Sequence, residues 1–217
     1  MTLSLIQDRL TQAERNAGRA AGSVSLIAVS KLQPDARVRE VLDAGQRSFG
    51  ENYVQEAASK WPAFRAAYPG VDLHMIGPLQ TNKAKQAADL FDVIQSLDRP
   101  SLAQKLASLA QARGKSPALF VQVNTGSEPQ KAGILPGDLD SFLRDCRAMD
   151  LSPVGLMCIP PDGADPVPHF QSLSQMAAHN GLPNLSMGMS GDFETAVAHG
   201  ATHIRVGSAL FGARPPA

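Results

Sequence analysis

The sequence predicts a single-domain α/β fold, a TIM (β/α)8 barrel, and three observations carry that reading. Short apolar runs alternate with helix-patterned stretches eight times along 217 residues, and that alternation within one domain length builds a closed parallel sheet wrapped by helices. The competing architecture is an open doubly wound sheet, but no G-x-G-x-x-G turn follows the first run. Polar or glycine residues also fall at the C-terminal ends of the runs, where a barrel keeps its functional side chains.

The elements follow in order. The opening MTLSLIQDRLTQAER places Asp8 and Arg9 among its apolar positions, so an amphipathic helix is expected rather than a signal peptide or membrane span. Residues 24–30 form the first strand, with Leu26, Ile27, Ala28 and Val29 continuously apolar, as in a parallel strand covered on both faces. Further strands are expected at 47–51, 73–77, 93–97, 119–124, 153–159, 184–189 and 203–207. Between them lie ARVREVLDAG, ENYVQEAASKW, QTNKAKQAADLF, SLAQKLASLAQARG, DLDSFLRDCRAM, HFQSLSQMAAHNG and FETAVAHG, the last closing on Gly200 where a helix C-cap belongs. The Pro- and Asp-rich stretch 159–168 reads as a βα loop, and no linker or repeat divides the chain.

Composition narrows the function. Apolar residues make up 43% of the chain, enough for one substantial core, and 20 basic residues balance 20 acidic ones. No basic cluster interleaved with aromatics offers a nucleic-acid footprint. Cys146 and Cys158 lack metal-ligand spacing and the five histidines are scattered, so neither a zinc site nor a disulfide framework is expected, and a reducing cytoplasm fits.

Lys31 ends the first apolar run. Partial desolvation there lowers a lysine pKa toward the range where the neutral amine attacks an aldehyde, although lysines at strand ends ordinarily snorkel into water. Its neighbours in the fold therefore decide. In barrels a phosphate commonly sits at the loops after strands seven and eight. Here those loops are SMGMSGD and RVGSALFG, which bring Ser190, Gly191, Gly207 and Ser208. Small side chains let backbone amides approach an anion, and hydroxyls add donors. VGSALFGAR is not a P-loop, since Ala213 follows Gly212 where lysine is required. A lysine beside a phosphate cradle suggests a phosphorylated carbonyl compound held as a Schiff base, and points to pyridoxal 5′-phosphate. A barrel aldolase acting on a phosphosugar is the cofactor-free alternative.

Arg205 interrupts HIRVG in the last strand, so its guanidinium needs a partner. That partner is either a cofactor ring nitrogen, which a permanently charged arginine would keep unprotonated, or a carboxylate such as Glu51 or Asp192.

Seven ordered motifs, AVSK, FGENYVQE, HMIGPLQTNK, QVNTGSEPQKAGI, GLMCIPP, LSMGMSGDFETAVAHG and HIRVGSALFGAR, resemble the pyridoxal phosphate homeostasis protein family across nearly the whole chain. The resemblance implies a barrel related to the N-terminal domain of alanine racemase, without that enzyme's second domain. It further implies that Lys31 forms the internal aldimine, Arg205 faces the pyridine nitrogen, and Ser190, Gly207 and Ser208 hold the phosphate. Asn52, His74, Ile76, Gly77 and Met187 are expected to line the ring and its edges. Family members often carry a second lysine in a pattern like SKxKP, whereas this chain reads SKLQP with Gln33 in that place; Lys131 matches another recurrent lysine. The implied role is buffering and delivery of the cofactor to apo-enzymes by a monomer, with an amino-acid racemase or decarboxylase as the alternative. Racemisation needs a base on each side of the substrate, and the only tyrosines here are Tyr53 and Tyr68.

Overall fold

All eight expected strands form in the computed structural model, which describes residues 2–212. They are β1 (Ser25–Val29), β2 (Ser48–Glu51), β3 (Asp72–Met75), β4 (Val93–Leu97), β5 (Ala118–Val123), β6 (Gly155–Cys158), β7 (Asn184–Ser186) and β8 (His203–Val206). Every neighbouring pair is parallel, and β8 returns to β1 with Ile27 opposite Arg205, closing the barrel in chain order. Each β-to-β connection runs through a helix on the outside: α2 (Asp35–Asp43), α3 (Val54–Ala67), α4 (Ala84–Leu90), α5 (Pro100–Arg113), α6 (Leu139–Ala148), α7 (Val167–His179) and α8 (Phe193–Ala198). The expected N-terminal helix is α1 (Leu3–Asn16), and a single turn, α9 (Ser208–Phe211), follows β8.

Strand alternation sorts the side chains into two environments. Outward residues such as Leu26, Phe49, Leu73, Ile94, Val121, Leu156, Leu185 and Ile204 pack against the helices in one continuous apolar core. Inside the barrel Val93, Phe120 and Met157 form a separate small cluster, and the rest of the interior is largely polar, with Gln95, Ser186, His74 and Arg205 all buried.

Buried Glu14 fixes the chain entering the barrel. The carboxylate accepts from the amides of Gly22 and Val24 at 2.9 and 2.8 Å and from the Ser23 hydroxyl at 3.3 Å, so α1 delivers β1 in one register. Strand β7 stops three residues short of the expected 184–189. Gly188 turns with φ +89° there, and a Cβ at that position would lie 2.5 Å from the Ala196 side chain, so the backbone leaves the sheet to pack on α8. Among the described residues no helix is long and apolar enough to cross a membrane, and no group of His, Cys, Asp or Glu could hold a metal ion.

Candidate functional site

A cavity of about 330 Å3 opens at the C-terminal mouth of the barrel. Its wall takes Val29 and Lys31 from the end of β1, Asn52 from β2, Ile76 from β3 and Ile159 from β6. Met189, Ser190 and Gly191 follow β7, while Arg205, Gly207 and Ser208 come from β8 and its loop.

Lys31 is half-buried, and the backbone on both sides of it is tied down. On the preceding residue, the Ser30 hydroxyl donates to Glu51 Oε1 at 2.7 Å and the Ser30 carbonyl accepts from Lys60 Nζ at 3.2 Å. On the following residue, the Leu32 amide donates to Glu56 Oε1 at 2.7 Å, with Leu32 itself at φ +58°. A left-handed leucine is strained, and such strain persists only where the surroundings over-determine it. Lys60 bridges the two carboxylates, reaching Glu51 at 3.3 Å and Glu56 at 3.0 Å. Glu51 is fully buried, and burial raises its carboxyl above the ordinary range, opposed by the Lys60 charge and by hydrogen bonds from Trp61 and Ser30.

The opposite wall carries backbone amides and hydroxyls. The Gly207 and Ala209 amides both point at Ser190 Oγ, at long distances of 3.3 and 3.4 Å, so the hydroxyl oxygen lies where an oxygen of a bound anion would be received. A side chain at Gly191 would meet nothing within 4 Å, which leaves the approach open.

Arg205 closes the inner end. It is 4% exposed and donates to Ser186 Oγ and to the Cys158 carbonyl, both at 2.8 Å. Neither carboxylate weighed from the sequence is its hydrogen-bond partner: Glu51 belongs to the Lys60 cluster, and Asp192 accepts from the Met189 amide at 2.6 Å. Burial lowers the arginine pKa, but a guanidinium keeps its proton, so a cation with only neutral hydrogen-bond partners faces the cavity.

Seven of the residues expected at the site, Lys31, Asn52, Ile76, Ser190, Arg205, Gly207 and Ser208, converge on this wall. The other three lie elsewhere. His74 is buried beneath the cavity, bonded to Asp72 and Gln95. Met187 points outward into the apolar core between sheet and helices. Gly77 packs against Asn52, where an added Cβ would come within 2.5 Å of the Asn52 carbonyl oxygen. Val29, Ile159 and Met189 are wall residues that the sequence reading passed over. Ile159 carried a usable signal, since it continues the inward parity of Met157 by one step past β6. Gln33, in place of the second lysine, is buried and accepts from Arg37 at 3.2 Å, while Lys131 pairs with Glu128 at 2.7 Å and donates to the Pro160 carbonyl.

The model of the alanine racemase N-terminal domain matches residues 3–215. The pyridoxal phosphate homeostasis protein of Escherichia coli strain K12 is 38% identical, the match covering 98% of this chain and 95% of that protein. The protein of the same name from Deinococcus radiodurans is 41% identical over 97% of this chain and all of its own length. The chain belongs to the pyridoxal phosphate homeostasis protein family. Among solved structures, PipY of Synechococcus elongatus PCC7942, with pyridoxal phosphate bound, is 40% identical with a TM-score of 0.79, covering 92% of this chain and 99% of that one. Alanine racemase from Bartonella henselae, at 16% identity, shares the barrel alone, with a TM-score of 0.70 over 97% of this chain and 61% of the enzyme.

Proposed function

We propose that this chain binds pyridoxal 5′-phosphate at the barrel mouth and serves cofactor homeostasis, buffering the reactive aldehyde and delivering it to apo-enzymes. The observation that carries the reading is the meeting of three groups in one cavity: the Lys31 amine, the amide and hydroxyl donors around Ser190, Gly207 and Ser208, and the Arg205 guanidinium. Pyridoxal phosphate supplies an aldehyde that condenses with an amine and a ring that withdraws electrons from what is attached to it. Lys31 is the attachment point, the Ser190 side receives the phosphate, and Arg205 presents N–H donors toward the ring nitrogen. A donor that never releases its proton leaves that nitrogen unprotonated, which weakens electron withdrawal and favours holding the cofactor over turning it over. Asn52 and Ile76 flank the ring.

The tyrosines support a carrier. The Tyr68 hydroxyl donates to Asp43 Oδ1 at 2.6 Å, between α2 and α3 on the outside of the barrel. Tyr53 occupies the N-cap position of α3, is 53% exposed and does not line this cavity. Neither stands as the second base that racemisation requires. The chain acts in the cytoplasm as a monomer, with the cofactor and the receiving apo-enzymes as its partners.

The test compares wild type and Lys31→Ala, each supplied with pyridoxal phosphate and treated with borohydride. The expected result is a visible band in wild type that reduction bleaches, a pyridoxyl label on Lys31, and transfer of unreduced cofactor to an apo-enzyme. Absence of binding by wild type overturns the reading in favour of a phosphosugar barrel. Turnover of an amino acid would replace the carrier with a racemase or decarboxylase.

A further inference from the structure

A single file of hydrogen bonds crosses the barrel interior from the cavity to the opposite end. It starts at Arg205 Nη1, which donates to Ser186 Oγ at 2.8 Å. Ser186 in turn meets Gln95 Oε1 at 2.6 Å, and Gln95 Nε2 meets His74 Nδ1 at 3.0 Å. His74 Nε2 ends the file at Asp72 Oδ2, 2.7 Å away, where β3 begins and the aspartate side chain is 43% exposed. Four strands contribute one interior side chain each before Asp72, and Ser186, Gln95, His74 and Arg205 are all buried.

The direction of every bond is fixed by chemistry. Arginine only donates, so Ser186 Oγ accepts from Arg205 and its own proton must go elsewhere. Gln95 Oε1 receives that proton, which aims the amide nitrogen at His74 and requires a bare Nδ1. His74 is then the Nε2–H tautomer donating to Asp72, and this bond is the chief cause holding the Asp72 carboxyl below its ordinary range. The reversed amide would leave the Ser186 proton without an acceptor in a buried site. Further charged or titratable groups act on the file: Asp192 and the Cys158 thiol on Arg205, His203 beside His74, and Arg65 on Asp72. His203 lies 6.2 Å from His74 between ring centroids, and burial, reinforced by His74, pushes it down to about 4, so it stays neutral near pH 7. Arg65 acts on Asp72 from α3.

We propose that Ser186, Gln95 and His74 are positioning residues that set the presentation of Arg205 to the cofactor ring, an inference that rests on Arg205 facing the ring nitrogen. The guanidinium has two anchors, the Cys158 carbonyl and Ser186. The carbonyl is part of the sheet and cannot turn, whereas Ser186 offers Arg205 an undivided lone pair only while its proton is drawn away by Gln95. The state of His74, on the far side of the barrel, thereby reaches the cavity without touching it.

The test uses Gln95→Glu and has two parts. Glutamate keeps the shape and still accepts from Ser186, but its carboxylate replaces the N–H that Gln95 gives His74 Nδ1 with an acceptor, which favours a proton on that nitrogen. In cofactor-free protein, nitrogen-15 NMR of the histidines is expected to read His74 as the Nε2–H tautomer in wild type and as the cation in Gln95→Glu at pH 7. With pyridoxal phosphate labelled at the ring nitrogen, the nitrogen resonance is expected to move in the variant, because a carboxylate draws the Ser186 proton more strongly than the amide does and so tightens the Arg205 anchor. Ser186→Ala removes the anchor itself and introduces no buried carboxylate, so it tests the relay even where Gln95→Glu folds poorly; it is expected to move the resonance in the opposite direction and to lower affinity on the order of tenfold, the scale of one charge-assisted hydrogen bond. Ser208→Ala should weaken binding through the phosphate and leave the ring resonance in place. An Nδ1–H tautomer in wild type, or ring resonances unmoved in both interior variants, overturns the relay while leaving cofactor binding intact. If wild type takes up no cofactor, the site reading fails first and the relay with it.

Discussion

Removing Lys60 should destabilise the protein and loosen Lys31 at once. The Lys60 side chain is 6% exposed and that of Glu51 is fully buried, with the ammonium 3.3 Å from Oε1. Glu51 Oε2 is buried without a partner among the described residues, so the charge on this carboxylate depends on Lys60 and on the Trp61 and Ser30 donors to its other oxygen. Taking away one member of a buried pair costs about 3–5 kcal/mol. The low end applies to Lys60→Met, because Glu51 keeps two hydrogen bonds and can escape by taking a proton. For a chain of this length about 3 kcal/mol lowers Tm by roughly 6–12 °C. The sign of the pH dependence follows from Glu51. Its folded pKa already lies above the ordinary 4.5, and loss of Lys60, the strongest opposing charge, raises it further. A raised folded pKa contributes stability that is complete below the unfolded value and is lost as pH rises through the folded one. The deficit of Lys60→Met should therefore be small near pH 5 and grow toward pH 8, measured by urea unfolding at each pH. Adding Glu51→Gln should recover most of it, since the orphaned charge is then gone. Lys60 also holds the Ser30 carbonyl, so pyridoxyl labelling of Lys31 should slow in the single variant. A deficit below about 1 kcal/mol, or one equal at pH 5 and pH 8, would refute the assignment of Lys60 as the counter-charge.

Two further outcomes are expected. Gly77→Ala places a Cβ 2.5–2.6 Å from the Asn52 carbonyl oxygen and Cα, so backbone must shift; about 3 kcal/mol of stability should be lost in thermal unfolding, with weaker cofactor binding from the displaced Asn52. Burial holds the thiols of Cys146 and Cys158 up at about 11 and about 12, so neither should react with a disulfide reagent at pH 8 in the native state, and both should react in urea. Rapid native-state labelling of either thiol would contradict the burial.

The strands were legible because their signal is local. Runs such as LIAV, which completes β1, carry the burial pattern in themselves, and β4 falls at the expected 93–97. Errors gather at the mouth ends, where the chain leaves the sheet for tertiary reasons. The expected 184–189 ends instead at Ser186 because Gly188 must turn to let α8 approach, and nothing within that segment announces Ala196 as its neighbour.

Residues at strand ends could be placed at the cavity because a barrel converts position along a strand into height. Which way a side chain points requires parity as well, and parity and height together decide which side chains reach the wall. Ser186 and Arg205 point inward, and Met187, one step after Ser186, must then point out into the helix layer. His74 has inward parity but sits too low, two residues before Ile76, which does reach the wall. Its placement becomes intelligible only with Gln95 beside it and Ser186 beyond, and those two are 91 residues apart in the chain. Contacts across a barrel interior leave no trace in local pattern. For this reason the cavity wall was largely readable from the sequence, whereas the polar file beneath it, which begins at Arg205, was not.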